Sequence, residues 1–208
     1  MLKINFLGDS ITEGAMASAP GKEYVEVVGK MLNCVVRNYG IGGTRIAVRP
    51  VPSDDPRWDL FFGDRVKDMD RDADYVVVFG GTNDFGNGAV ELGQMGDKNP
   101  ETFYGAMDYL ITELLKYFNK EKIFFIIPLY RDGENEVELY HARASLGVYR
   151  QIMKEVLNKY EIPYLDFIDK FGKSEGNPML SDGLHPNDVG HEFIAKEIVN
   201  YIKSLWKK

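Results

Sequence analysis

The run Tyr75-Val76-Val77-Val78-Phe79, stopped by Gly80-Gly81, limits what this chain can fold into more than any other segment. Five consecutive β-branched or aromatic residues with no polar alternation must be buried on both faces. That is the condition of an interior strand in a parallel sheet with helices on either side. Residues 2–7, 34–39, 122–129 and 163–168 read as further strands. Residues 21–32, 59–69, 102–118, 138–160 and 187–206 read as helices, the last with Asn187 as N-cap and Asp188 in its first turn. Residues 46–58, 84–99 and 172–186 read as loops. Strand and helix alternate along the whole chain. The fold expected is therefore a single-domain three-layer α/β/α unit over residues 1–208, with a mainly parallel five-stranded sheet of flavodoxin-like layout.

The formal net charge is −7, which counts against a nucleic-acid partner, since such proteins carry a basic footprint. No apolar run approaches the ~18 residues needed to span a bilayer. The apolar stretch at residues 2–7 is too short for the core of a signal peptide. The single cysteine, Cys34, lies in an apolar run, reads as a small buried thiol and excludes an intrachain disulfide. Together these predict a cytoplasmic protein. No cluster of residues has metal-ligand spacing: His191-Glu192 begins a zinc-protease pattern, but Ala195 stands where its second histidine belongs. His191 and His141 both read as surface residues.

In an open parallel sheet, ligands bind beyond the carboxyl ends of the strands. Four such positions carry chemistry-bearing residues: Gly8-Asp9-Ser10, Gly40-Ile41-Gly42-Gly43, Gly80-Gly81-Thr82-Asn83-Asp84, and Asp182-Gly183-Leu184-His185-Pro186. Taken singly each is weak, because Gly-Asp-Ser and Asp-Gly are ordinary turn sequences and Asn83-Asp84 can form an Asx-turn. Taken together they supply the parts of acyl transfer. A serine hydroxyl attacks only when a base removes its proton, and a neutral imidazole held by a carboxylate can do that. Asp182 and His185, three apart, can meet within one turn. The backbone N–H groups of Ser10 and Gly43 and the side-chain amide of Asn83 are candidate donors to an oxyanion.

In their order and content these blocks resemble the GDSL (SGNH) hydrolase family. Gly8-Asp9-Ser10-Ile11 is similar to its first block, with Ile where Leu is usual. Asn38 to Gly43, Gly81-Thr82-Asn83-Asp84 and Asp182-x-x-His185 are similar to the other three. The resemblance implies Ser10, Gly43, Asn83 and His185 as the four signature residues, with Asp182 orienting the histidine. It also implies a serine esterase working through an acyl-enzyme without cofactor or metal. A competing nucleophile pattern, Gly172-Lys173-Ser174-Glu175-Gly176, needs a strand before it and a helix after it, and Asn177-Pro178 opposes that helix.

The loops after the second and third strands are polar and contain no long apolar stretch to form a lipase lid. Asp9, Arg45, Trp58 and Asp84 are the expected pocket residues, with Trp58 either a platform for a sugar ring or a core residue. The substrate expected is a small-molecule or carbohydrate ester with a short, acetyl-like acyl group. A lysophospholipase or lipase-type acylhydrolase, an acyltransferase using the same residues, and a catalytically idle binding protein are the competing readings.

Overall fold

The computed structural model describes residues 1–88 and 90–206. Five strands, β1 (Lys3–Gly8), β2 (Val35–Gly40), β3 (Tyr75–Phe79), β4 (Ile123–Ile126) and β5 (Tyr164–Leu165), form one sheet in the order β2-β1-β3-β4-β5. Every neighbouring pair is parallel. This is the doubly wound order of flavodoxin, as expected. Eight α-helices accompany it among the described residues: α1 (Ser10–Glu13), α2 (Tyr24–Leu32), α3 (Phe62–Arg65), α4 (Thr82–Gly86), α5 (Phe103–Tyr117), α6 (Leu146–Tyr160), α7 (Ile168–Phe171) and α8 (Asp188–Leu205).

Side chains alternate across each strand, so the sheet feeds two cores. Val76 and Val78 of β3 join Phe62, Leu110, Tyr149 and Met153 on the face covered by α3, α5 and α6. Val77 and Phe79 join Tyr24, Val28, Ile194 and Ile198 on the face covered by α2, α7 and α8. The unbroken apolar run of β3 follows from this: each face has its own layer of helices to fill.

Register places the site. Gly8 pairs with Gly40 on one side and Phe79 on the other. The three segments that follow β1, β2 and β3 therefore leave the sheet at one level, side by side. The pairing is close at Gly8, where a Cβ atom would lie 2.7 Å from the Phe79 carbonyl oxygen and 1.8 Å from Thr12 Oγ1. Only glycine fits there.

Several local expectations are corrected. The helix expected over residues 138–160 begins at Leu146. Residues 138–145 instead form turns, with His141 at φ 49° and the Tyr140 ring 5.0 Å from that of Phe85. Packing of Tyr140 and of Ala142, which is buried, overrides the helical spacing of this stretch. The helix expected over 59–69 is broken into α3 and flanking 3₁₀ turns. Cys34 is partly exposed rather than buried. His141 is exposed, as expected, but His191 is fully buried. None of the described helices is long and apolar enough to cross a membrane.

Candidate active site

Asp9 caps α1: its Oδ1 accepts a hydrogen bond from Ile11 N at 3.0 Å. Ser10 therefore starts a helical turn immediately past the strand. Its Oγ lies 2.9 Å from His185 Nε2, across 175 residues of sequence. The other ring nitrogen, Nδ1, lies 2.7 Å from Asp182 Oδ2. The opposite oxygen of that carboxylate accepts from the backbone N–H groups of His185 at 2.7 Å and Leu184 at 3.0 Å. Burial pushes the Asp182 carboxyl up, but the bonds from His185 and Leu184 outweigh it and hold its pKa below the ordinary value. An ionised Asp182 accepts a hydrogen bond from Nδ1–H and leaves the Nε2 lone pair facing the serine hydroxyl.

The loop after β2 is held in place by α1 and α4. Asn83 Nδ2 donates to Thr44 O at 3.0 Å, and Asn87 Nδ2 to Gly43 O at 3.4 Å. Both Asp84 carboxylate oxygens accept backbone bonds, from Ala47 N at 2.8 Å and Ile46 N at 3.0 Å. From the other side, Glu13 accepts from Gly42 N at 2.8 Å and from Arg57 Nη2 at 2.9 Å. These bonds fix Gly43 at φ +76°, with the Trp58 indole against its Cα. The Asn83 amide has a second proton beyond the one given to Thr44. The Ser10 and Gly43 N–H groups find no acceptor among the described residues.

Ser10, Gly43, Asn83 and His185 line one open pocket of about 430 Å³, together with Ala15, Arg49, Trp58, Asn87 and Leu184. Trp58 is 45 % exposed there, so it is a wall of the pocket and not a core residue. The other three expected pocket residues are placed elsewhere. Arg45 and Asp84 are fully buried, Asp84 beneath the loop after β2 that it braces. The long Arg45 side chain turns inward to donate to Gly88 O at 3.0 Å. Asp9 is buried behind Ser10, on a separate small cavity that it shares with Thr82 and Leu184. Ser174 sits in an exposed bend after α7, with no strand directly before it and no helix directly after it. No group of His, Cys, Asp or Glu among the described residues is arranged to hold a metal ion.

Arg65 is a supporting residue that the sequence did not reveal. It is buried and donates to Gly8 O at 2.9 Å and Tyr39 O at 3.0 Å, tying the ends of β1 and β2 together. Burial lowers its pKa to about 10, against the pull of Asp9 and Glu13. A lone arginine in an expected helix gives no sequence signal of such a role.

The model of the GDSL-like Lipase/Acylhydrolase family matches residues 6–193. The chain belongs to that family. Its GDSL-type fold recurs in a solved protein from Lactobacillus plantarum, 26% identical, with a TM-score of 0.80 over 98% of this chain and 97% of that one. It recurs also in a lipase/acylhydrolase from Enterococcus faecalis, 24% identical, with a TM-score of 0.68 over 98% and 96%. In sequence, this GDSL chain is 26% identical over 135 residues to a multidomain esterase from Ruminococcus flavefaciens. That match spans 63% of this chain and 16% of the relative's length.

Proposed function

We propose that this chain hydrolyses carboxylic esters through an acyl-enzyme on Ser10, with short acyl groups carried by polar, sugar-like alcohols. The observation that carries the reading is the chain of two contacts from Ser10 Oγ to His185 Nε2 at 2.9 Å and from His185 Nδ1 to Asp182 Oδ2 at 2.7 Å.

In this mechanism Ser10 Oγ bonds to the ester carbonyl carbon while its proton passes to His185 Nε2. The carbonyl electron pair moves onto oxygen, where the N–H groups of Ser10 and Gly43 and the free Asn83 amide proton receive it. Collapse expels the alcohol oxygen, which takes the proton from Nε2. A water molecule then gives its proton to Nε2 and attacks the acyl-enzyme. Ser10 Oγ leaves and recovers its proton, and the carboxylic acid is released. Asp182 stays ionised throughout and steadies the imidazolium.

The pocket wall supports the substrate class. An exposed indole beside the planar polar groups of Arg49 and Asn87 suits a hydroxyl-bearing ring. Its other apolar contributions come from Ala15 and Leu184, too little to enclose a long chain. The test is Ser10→Ala assayed on an aryl acetate, with Ser174→Ala beside it. Loss of turnover in the first and near-normal turnover in the second is expected. Retained turnover in Ser10→Ala defeats the reading.

A further inference from the structure

α8 begins three residues after His185, and the loop of residues 14–23 follows directly from α1, which Ser10 opens. Four hydrogen bonds tie α8 to this loop and to Tyr24, the first residue of α2. Ser18 donates to Asp188 twice, from N to Oδ1 at 2.9 Å and from Oγ to Oδ2 at 2.7 Å. His191 Nε2 lies 3.0 Å from Ala15 O, and Tyr24 N lies 3.3 Å from His191 Nδ1. An N–H donor facing Nδ1 and a carbonyl facing Nε2 fix this buried ring as the neutral Nε2–H tautomer.

From His191 two routes lead back to α1. Ala15, which accepts from the imidazole, itself donates from N to Ser10 O at 2.9 Å. Tyr24, whose ring is stacked on His191 at 6.2 Å and 15°, meets Thr12 Oγ1 through its hydroxyl at 2.9 Å. The segment carrying the nucleophile and the segment carrying the base are therefore bolted together one turn away from their own contact.

We infer that Asp188 and His191 are positioning residues that hold Ser10 Oγ and His185 Nε2 at reacting distance. The inference rests on the roles proposed above for Ser10 and His185. The two remote segments have no covalent tie to set their separation, and displacement of about 1 Å between reacting groups can cost up to about 10²-fold in rate. Neither residue lines the catalytic pocket. Loosening the clamp therefore acts on kcat and spares KM.

The experiment compares His191→Phe, His191→Gln, Asp188→Ala and the double variant His191→Phe/Asp188→Ala on an aryl acetate, with thermal unfolding checked for each. Phe keeps the stack on Tyr24 and loses both hydrogen bonds. Gln restores a donor near the Nε2 position. His191→Phe is expected to lower kcat about tenfold at unchanged KM, with His191→Gln recovering most of the loss. Asp188 is partly exposed, so Asp188→Ala folds, and it is expected to lower kcat several-fold. The double variant should fall short of the product of the two losses, as expected for groups acting on one distance.

Equal losses in His191→Phe and His191→Gln, a change in KM alone, or an unaltered kcat in Asp188→Ala would overturn the clamp. Labelling of Ser10 by a fluorophosphonate, followed by mass spectrometry, separates the two levels. Failure to label the wild type at Ser10 rejects the nucleophile itself. Normal labelling in wild type, with unchanged labelling rates in the variants, rejects only the clamp.

Discussion

Gly43 and Trp58 are in contact so close that a Cβ atom at position 43 would stand 2.7 Å from the indole Cδ1. The same glycine has φ +76°, a conformation costing an L-residue about 1–2 kcal/mol. Gly43→Ala is therefore expected to displace Trp58 and move the 43 N–H out of line. The loss in kcat should approach that of removing one oxyanion donor, about 10²-fold. Trp58→Ala in the same chain relieves the clash but not the strain, so partial recovery of kcat is expected. A Gly43→Ala enzyme with normal kcat would show that the 43 N–H takes no part.

Asn83 has two tasks, one with Thr44 O at 3.0 Å and one, as proposed, with the oxyanion. Asn83→Ala should lower kcat by about 10²–10³ and change KM much less, since the second bond strengthens only as charge develops. Loss of the Thr44 bond should also cost about 1 kcal/mol in unfolding free energy. Steady-state kinetics beside urea titration reads both. A loss of stability with kcat intact would reduce Asn83 to a brace of the loop.

Acyl-chain preference follows from the pocket wall. A buried CH₂ is worth about 0.8 kcal/mol, but only where apolar surface covers it. Beyond Ala15, Leu184 and the Trp58 face, the wall is polar. In a series of p-nitrophenyl esters kcat/KM should peak at acetyl to butyryl. A maximum at about eight carbons or longer would contradict the substrate class proposed.

The buried Asp9 carboxyl makes stability depend on pH. Burial pushes it up to about 7, against the lowering effects of the Ile11 N–H, His185 and Arg65. In the unfolded chain it titrates near ~3.9. Between those values the folded protein holds a proton that the unfolded chain has released, so stability falls as pH rises from about 4 to about 7. Asp84, raised by burial to about 6, acts with the same sign. Asp9→Asn should flatten the upper part of this decline in urea midpoints taken across that window. An identical pH slope in wild type and variant would mean that Asp9 is ionised in the fold.

Activity should survive exhaustive chelation. Both ring nitrogens of His185 are engaged, one with Ser10 and one with Asp182, which leaves neither free to ligate. Loss of rate with EDTA and its return with Zn²⁺ would require Asp182 and His185 to be reread as ligands.

What the sequence determined by itself is local in origin. The apolar run of β3, the glycines that end β1, β2 and β3, the Asn187 cap of α8 and the order of the four motif blocks are all written in neighbouring residues. Parallel register carries the first three blocks to one edge of the sheet, and the nearness of Ser10, Gly43 and Asn83 there was legible in the sequence. Tertiary structure decided the rest. Arg45 and Asp84 look like polar loop residues but face inward: Asp84, on α4, braces the loop after β2 from beneath, and Arg45 reaches from that loop to Gly88 O. His191 looks like a surface histidine off the apolar stripe, yet it is buried because Ala15 and Tyr24 satisfy both its nitrogens. The helical spacing of residues 138–145 yields to the packing of Tyr140 and Ala142. In each case the deciding partner is remote in sequence. Burial of a polar group depends on whether that partner is present, and local composition does not record it.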